Sequence, residues 1–172
     1  AESLGLFVSQ GNSGPLGYDL ENAKMVISFG SGYIEGWGSP SRMMMAFGGW
    51  RSNPKRNGTK IIQVQTRGSL SASKADEWVA VAPGTEPALA LGLAQVIVSE
   101  GRYDRTFISQ YTHGFDEFRR LLRRNYTPEE VAAITGVETK KIIGLARQFA
   151  RTKPAVALSG WGQGRMQGSM YD

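Results

Sequence analysis

The feature that constrains the fold most is an alternation of short apolar runs with longer segments of helical character. The runs at 25–29, 60–64, 77–81 and 155–159 are rich in aliphatic and β-branched residues and end at glycine or small polar residues, which predicts four buried strands. Strands that alternate with helices indicate a parallel sheet with helices on both faces. We therefore predict an α/β fold, a Rossmann-like doubly wound and mostly parallel sheet, with residues 1–172 as one domain.

The helices are predicted from their start and stop signals. Pro40 behind Ser39 suits a first helical turn, Thr85 is the expected cap of the helix that follows it, and Thr127-Pro128-Glu129-Glu130 has the form of a capping box. The chain from Asp104 onward has a helical amphipathic pattern. Its apolar stripe is expected to join the core, and the stripe comprises Phe115, Phe118, Leu121 and Leu122. A further helix is predicted over 138–152, where Pro154 ends it.

Composition excludes several kinds of site within this segment. Cysteine is absent, so the segment forms no disulfide, thiolate metal site or iron–sulfur cluster of its own. The single histidine, His113, lies in a stretch typical of a turn, and no DxDxDG or HExxH spacing is present. We assign no metal ligand and no catalytic residue to this chain. No apolar run reaches the roughly 20 residues of a spanning helix, so direct membrane insertion is not expected.

The formal net charge of +5 favours an anionic partner. The basic residues are scattered, apart from Arg119, Arg120, Arg123 and Arg124. No zinc-finger spacing or aromatic single-strand platform accompanies that group, and most such runs are solvated helix faces. Nucleic-acid binding is therefore not expected.

The loops after the strands are the candidate binding site, since ligands of parallel sheets lie beyond the carboxyl ends of the strands. Gly30-Ser31-Gly32 lets backbone amides approach a phosphate, although an ordinary turn explains it equally well. Gln65 stands where dinucleotide-binding domains place a ribose-binding acid, or is simply a solvated residue at a strand end. Glu86 is favoured by the helix dipole without any ligand, but its carboxylate also matches the two N–H donors of guanine.

The sequence resembles the dimethyl-sulfoxide-reductase type of molybdopterin oxidoreductase over nearly its whole length. Four segments carry the resemblance in the family's order. They are GYDLENAKMVISFGSGYIEGWGSPSRMM, KIIQVQTRGSLSASKADEWVAVAPGTEPALALGLAQVIVSEGRYDRTFISQYTHGF, YTPEEVAAITGVETKKIIGLARQFA and PAVALSGWGQG. The amino-acid sequence around Trp37 to Trp50 is most similar to the polysulfide, thiosulfate, tetrathionate and arsenate reductase branch of the family.

The resemblance implies a set of residues that bind a molybdopterin guanine dinucleotide. The set is Phe29, Gly30, Ser31, Gly32, Tyr33, Glu35, Gln65, Thr66, Arg67, Ser69, Gly84, Thr85, Glu86, Trp161 and Arg165. Three features depart from the family's pattern: Gly32 replaces an asparagine, Gln65-Thr66-Arg67 replaces Asp-Pro-Arg, and Glu86 replaces an aspartate. These departures would fit a cofactor-free structural subunit of a quinone-linked membrane complex, which stays open as one alternative. A generic Rossmann-like nucleotide-binding domain is the other.

The resemblance also implies the setting of the domain. We expect a fragment of a longer chain whose other domains hold the molybdenum or tungsten, with two-electron transfer of an oxygen or sulfur atom in anaerobic respiration. The implied partners are those other domains, an iron–sulfur electron-transfer subunit and a membrane quinone-linked subunit. A periplasmic location is implied by the family alone.

Overall fold

A computed structural model describes residues 7–11, 17–52 and 58–159 of the chain. Four strands form one sheet, and every pairing in it is parallel. The strands are β1 Met25–Phe29, β2 Lys60–Gln65, β3 Glu77–Ala80 and β4 Ala155–Ser159. Their order across the sheet is β3-β2-β1-β4, and Val26 of β1 is in register with Ile61 on one side and Val156 on the other. The predicted strands are confirmed to within one residue at each end.

Seven named helices connect or follow the strands in the described residues. They are α1 Pro40–Ser52, α2 Leu70–Lys74, α3 Glu86–Ser99, α4 Arg105–Tyr111, α5 Phe115–Asn125, α6 Pro128–Thr135 and α7 Thr139–Arg151. The capping box predicted at Thr127 is present, with Glu130 as its partner. No helix in the described ranges is long and apolar enough to cross a membrane.

The two faces of the sheet carry separate cores, as alternation along a strand requires. Met25, Ile27 and Phe29 of β1 pack against α3, α6 and α7. Val26 of the same strand packs on the other face, in a cluster that includes α1. Helices on both faces of a parallel sheet confirm the predicted α/β class.

Two details of the helical half differ from the sequence-based expectation. The segment from Asp104 is two helices, because Thr112 is extended and Gly114 takes a left-handed backbone with φ +77°. The apolar stripe is largely not core. Leu122 is buried and Phe115 is half-buried, whereas Phe118 and Leu121 are 37% and 40% exposed, because α3 is the main element that α5 contacts in the described residues.

The carboxyl end of α3 is tied to α7 by an ion-pair cluster. Glu100 accepts hydrogen bonds from Arg147 at 2.8 Å and from Arg102, and together these guanidinium groups lower the pKa of Glu100 to about 2. The cluster is exposed, so its contribution to stability is screened by water and salt.

Candidate functional site

The candidate site is the edge of the sheet at which the parallel strands end. Three loops start there: a first loop of residues 30–37 after β1, a second of 66–69 after β2 and a third of 81–85 after β3. The chain runs from β1 outward to β3 and then returns to place β4 on the other side of β1, so the switch in strand order lies between β1 and β4. Ligands of such sheets bind beside this switch, at the carboxyl ends.

The first loop begins with an exposed glycine and then turns inward. Gly30 has φ +64°, and its amide donates to the carbonyl of Val64 at 2.8 Å. Ser31 is fully buried, and its carbonyl accepts from the Ser28 hydroxyl at 3.0 Å and from the Gln63 amide at 3.1 Å. The two serine hydroxyls lie 2.5 Å apart. The Ser31 side chain therefore faces the sheet, and what remains open to a ligand in this turn is Gly30.

The remainder of the first loop is bound to the start of α2. The buried Tyr33 hydroxyl donates to the carbonyl of Ser71 at 2.9 Å, and burial raises the pKa of Tyr33. Glu35 accepts from the Leu70 amide at 3.0 Å and from the Ser71 hydroxyl at 2.8 Å. A Cβ at Gly32 would lie 3.2 Å from the Glu35 Oε2, so glycine allows the close approach of that carboxylate. Glu35 thus caps α2, which joins the first and second loops.

The second loop is shaped by Gln65. Its Nε2 donates to the Ser69 hydroxyl at 2.7 Å and to the carbonyl of Arg67, while its Oε1 accepts from Gln63 at 2.9 Å. Both amide hydrogens and one acceptor lone pair are therefore used within the domain. Ser69 accepts from the Ala72 amide and caps α2. These bonds leave the exposed Thr66 and Arg67 at the tip of the loop.

The third loop leads directly into α3, whose first residue is Glu86. Gly84 has φ +78°, which favours glycine at that turn. Thr85 precedes the helix as predicted, but its hydroxyl donates to the carbonyl of Ala82 at 2.8 Å and caps no helix amide. Glu86 is 9% exposed, and its carboxylate has no hydrogen bond or ion pair to any other described residue. Neither carboxylate oxygen is among the fully buried, unpaired polar atoms of the described residues, so the carboxylate stays accessible and is free to accept hydrogen bonds from a ligand.

The structure therefore divides the residues that the sequence singled out. Hydrogen bonds tie the first loop to β2 and to the start of α2, which follows the second loop. The third loop ends at the same edge without a bond to either of the other two loops within the described residues. Gly30, Thr66 and Arg67 are exposed there. Phe29, Ser31 and Tyr33 are buried, and Glu35, Gln65 and Ser69 are engaged in internal bonds. Trp161 and Arg165 lie outside the described residues.

Three residues of this edge were missed from the sequence, namely Ser28, Gln63 and Ser71. All three are fully buried and polar, and they connect the loops. A signal for two of them was available, because Ser28 and Gln63 interrupt the apolar runs MVISF and KIIQV. A polar residue inside a buried strand requires a partner, which predicts such a network.

Trp37 closes the edge at the switch between β1 and β4. Its indole N–H donates to the carbonyl of Ser159, the last residue of β4, at 2.8 Å. Among the described residues no group of three or more histidine, aspartate and glutamate side chains is arranged to hold a metal ion. What this edge offers a ligand is thus backbone, hydroxyl, guanidinium and carboxylate chemistry.

Comparison with known proteins agrees with this organisation. The sequence model of the family described as molybdopterin oxidoreductase matches residues 5–165, nearly the whole chain. The chain belongs to the molybdopterin oxidoreductase family. Its relatives include subunits of the dimethyl-sulfoxide-reductase type, which confirms the resemblance drawn from the four sequence segments.

Individual relatives share about a third of their aligned residues with the chain. A menaquinone reductase, molybdopterin-binding-like subunit of Nitratidesulfovibrio vulgaris is 33% identical over 150 residues, covering 87% of this chain and 21% of the relative. The dimethyl sulfoxide reductase DmsA of Escherichia coli is 33% identical over 170 residues, covering 86% of this chain and 20% of the relative.

A solved structure has the same fold. The acetylene hydratase of Pelobacter acetylenicus superposes with a TM-score of 0.73 at 25% identity, over 91% of this chain and 20% of that one. The chain spans about a fifth of the length of the relatives it matches.

Proposed function

We propose that this chain is the domain that binds the guanine dinucleotide part of a molybdopterin cofactor in a molybdenum or tungsten oxidoreductase. Membership of the family supports a molybdopterin cofactor. The single observation that carries the guanine form is Glu86, a buried carboxylate at a helix start with no partner in the described residues.

Guanine supplies what the Glu86 carboxylate lacks. Its N1–H and its exocyclic amine are adjacent donors, and a carboxylate accepts both in a paired, charge-assisted arrangement. Adenine has no such pair of donors, so this residue selects guanine. The positive end of the α3 dipole favours the same ionised carboxylate.

The exposed groups of the other two loops suit the remainder of the dinucleotide. Gly30 has no side chain to obstruct a phosphate, and Arg67 has no carboxylate partner among the described residues, which leaves its guanidinium available for one. Thr66 adds a hydroxyl beside it. The internally bonded residues, Glu35 and Gln65 foremost, hold these loops in place before the ligand arrives.

When bound, the cofactor supplies the metal at which two electrons are transferred. The residues of this chain bind and orient its nucleotide and exclude water from the guanine contact. For the full-length protein we propose atom transfer of oxygen or sulfur in anaerobic respiration, with an iron–sulfur subunit, a quinone-linked membrane subunit and a periplasmic location.

A second candidate, a structural subunit that binds no cofactor, is favoured by two observations. One relative of this chain is itself named a molybdopterin-binding-like subunit. In this chain, moreover, Glu35 and Gln65 form their bonds within the domain. A structural subunit would retain the fold and this loop network without using the Glu86 carboxylate.

Calorimetry with GDP, ADP and NAD separates these functions. We expect the chain to bind GDP more tightly than ADP or NAD, because only guanine offers both donors to Glu86. Equal affinities for the three would favour a generic nucleotide-binding domain. No binding of any of them by the folded chain would favour the structural subunit and contradict the proposal.

A further inference from the structure

A basic pocket lies at the carboxyl end of α3, away from the candidate site at the amino end of that helix. It has a volume of about 230 Å³ and is formed by the last turns of α3, the connection to α4, and α5. The lining residues used below are Gln95, Ser99, Tyr103, Arg105, Arg119 and Arg123. Since α3 has 14 residues and a helix rises about 1.5 Å per residue, roughly 20 Å separate this pocket from Glu86.

The charge of the pocket is only partly compensated. Three of its lining side chains are guanidinium groups, and no carboxylate lines it. Arg119 pairs with Asp116 at 2.9 Å. Arg105 and Arg123 form no ion pair or hydrogen bond with any other described residue, in contrast to Arg102 and Arg147 nearby, which both bind Glu100. Like charges that outnumber their counter-charges repel one another, and a bound anion relieves that repulsion.

The fold places two of these cations beside each other. Arg119 and Arg123 are four residues apart on α5, so both lie on the same side of that helix. Between them Leu122 is 1% exposed and fixes the helix against the domain. Arg105 enters from α4, a different element. The cluster is therefore assembled by tertiary structure and is more than a solvated run of sequence.

The size and donors of the pocket define the class of anion. The pocket is large enough to admit a tetrahedral oxyanion together with ordered water. Guanidinium forks bind phosphate oxygens in pairs, and the Tyr103 hydroxyl and Gln95 amide add neutral donors. We propose that this pocket is a binding site for a small phosphate-type dianion, such as inorganic phosphate or pyrophosphate.

The test is calorimetric titration of the 172-residue chain with phosphate, pyrophosphate and acetate at low ionic strength. We expect phosphate and pyrophosphate to bind and acetate not to. Arg123→Gln should weaken phosphate binding by about tenfold or more, since it removes a charged pair of hydrogen bonds. Arg120→Gln is the matched control, because Arg120 lies on the same helix but pairs with Glu117 and does not line the pocket.

A second pocket variant and three contrary outcomes complete the test. If Arg123→Gln fails to fold, Arg105→Gln on α4 replaces it with the same expected loss. Equal affinity in Arg123→Gln, Arg105→Gln and wild type would overturn the proposal, as would no binding of phosphate or pyrophosphate by the wild type. Binding lost in Arg67→Gln but kept in both pocket variants would assign the anion to the sheet edge and would overturn it as well.

Discussion

Replacing Glu86 by glutamine isolates the chemistry on which guanine selection rests. The substitution preserves the size of the side chain but turns one acceptor into a donor that faces the donors of guanine. Loss of a charged hydrogen bond costs about 1.5–3 kcal/mol, which is about tenfold to a hundredfold in affinity for GDP. Affinity for ADP should not change, because adenine offers no donor pair.

The structure also predicts what Glu86→Gln does to the fold. Glu86 has no hydrogen bond or ion pair within the described residues, so the substitution removes only its favourable position at the start of α3. That effect is worth about 0.3–1 kcal/mol. We therefore expect the free energy of unfolding to change by less than about 1 kcal/mol.

Calorimetry with GDP and urea denaturation, applied to both proteins, separate binding from folding. Glu129→Gln is the matched control, because Glu129 also lies in the first turn of a helix but is exposed and outside the sheet edge. A variant destabilised by several kcal/mol that still binds GDP as the wild type does would refute the reasoning, since Glu86 would then be a structural cap.

The other predictions concern the scaffold. Gly92→Ala should lower the free energy of unfolding by about 1–3 kcal/mol in urea denaturation, because the added Cβ would lie 2.8 Å from a methyl group of Val131. Gly144 lies in a helix with open space around it, so Gly144→Ala should raise the free energy of unfolding by up to about 1 kcal/mol. Tyr33→Phe should cost about 0.5–1.5 kcal/mol by removing a buried hydrogen bond to the Ser71 carbonyl, which keeps its bond from the Ala75 amide, and an unchanged urea midpoint would contradict that. In the wild type, the lowered pKa of Glu100 stabilises the fold above about pH 4.5, and this stabilisation is lost as the pH falls towards 2. In Glu100→Gln the free energy of unfolding should therefore fall less between pH 4.5 and pH 2 than it does in the wild type.

The sheet and most helices were predictable because local signals and tertiary packing agree there. The run MVISF is apolar at four of its five positions, and β1 is buried along its whole length between two strands. Thr127 likewise carries its capping box in the local sequence. The apolar stripe of α5 was predicted wrongly because periodicity reports which residues share a face but not whether another element covers that face.

The candidate site was predictable in position but less so in the roles of its residues. Parallel strands must end at one edge, so the three loops followed from the alternation of strands and helices. Whether Glu35 faces a ligand or caps α2 depends on contacts between residues 35 positions apart, which no local pattern encodes. The role of Gln65 was unpredictable for the same reason, because its hydrogen bond to Ser69 depends on the folded conformation of the second loop.

Guanine dinucleotide binding is tested most directly by identifying the nucleotide that acid hydrolysis releases from the longer protein of which we propose this chain to be one domain. The protein would be purified from cells that make molybdopterin cofactors, beside its Glu86→Gln variant. We expect the wild type to release GMP together with molybdenum or tungsten, and the variant to release less of both. A folded wild-type protein that releases no GMP would contradict the proposed guanine dinucleotide binding.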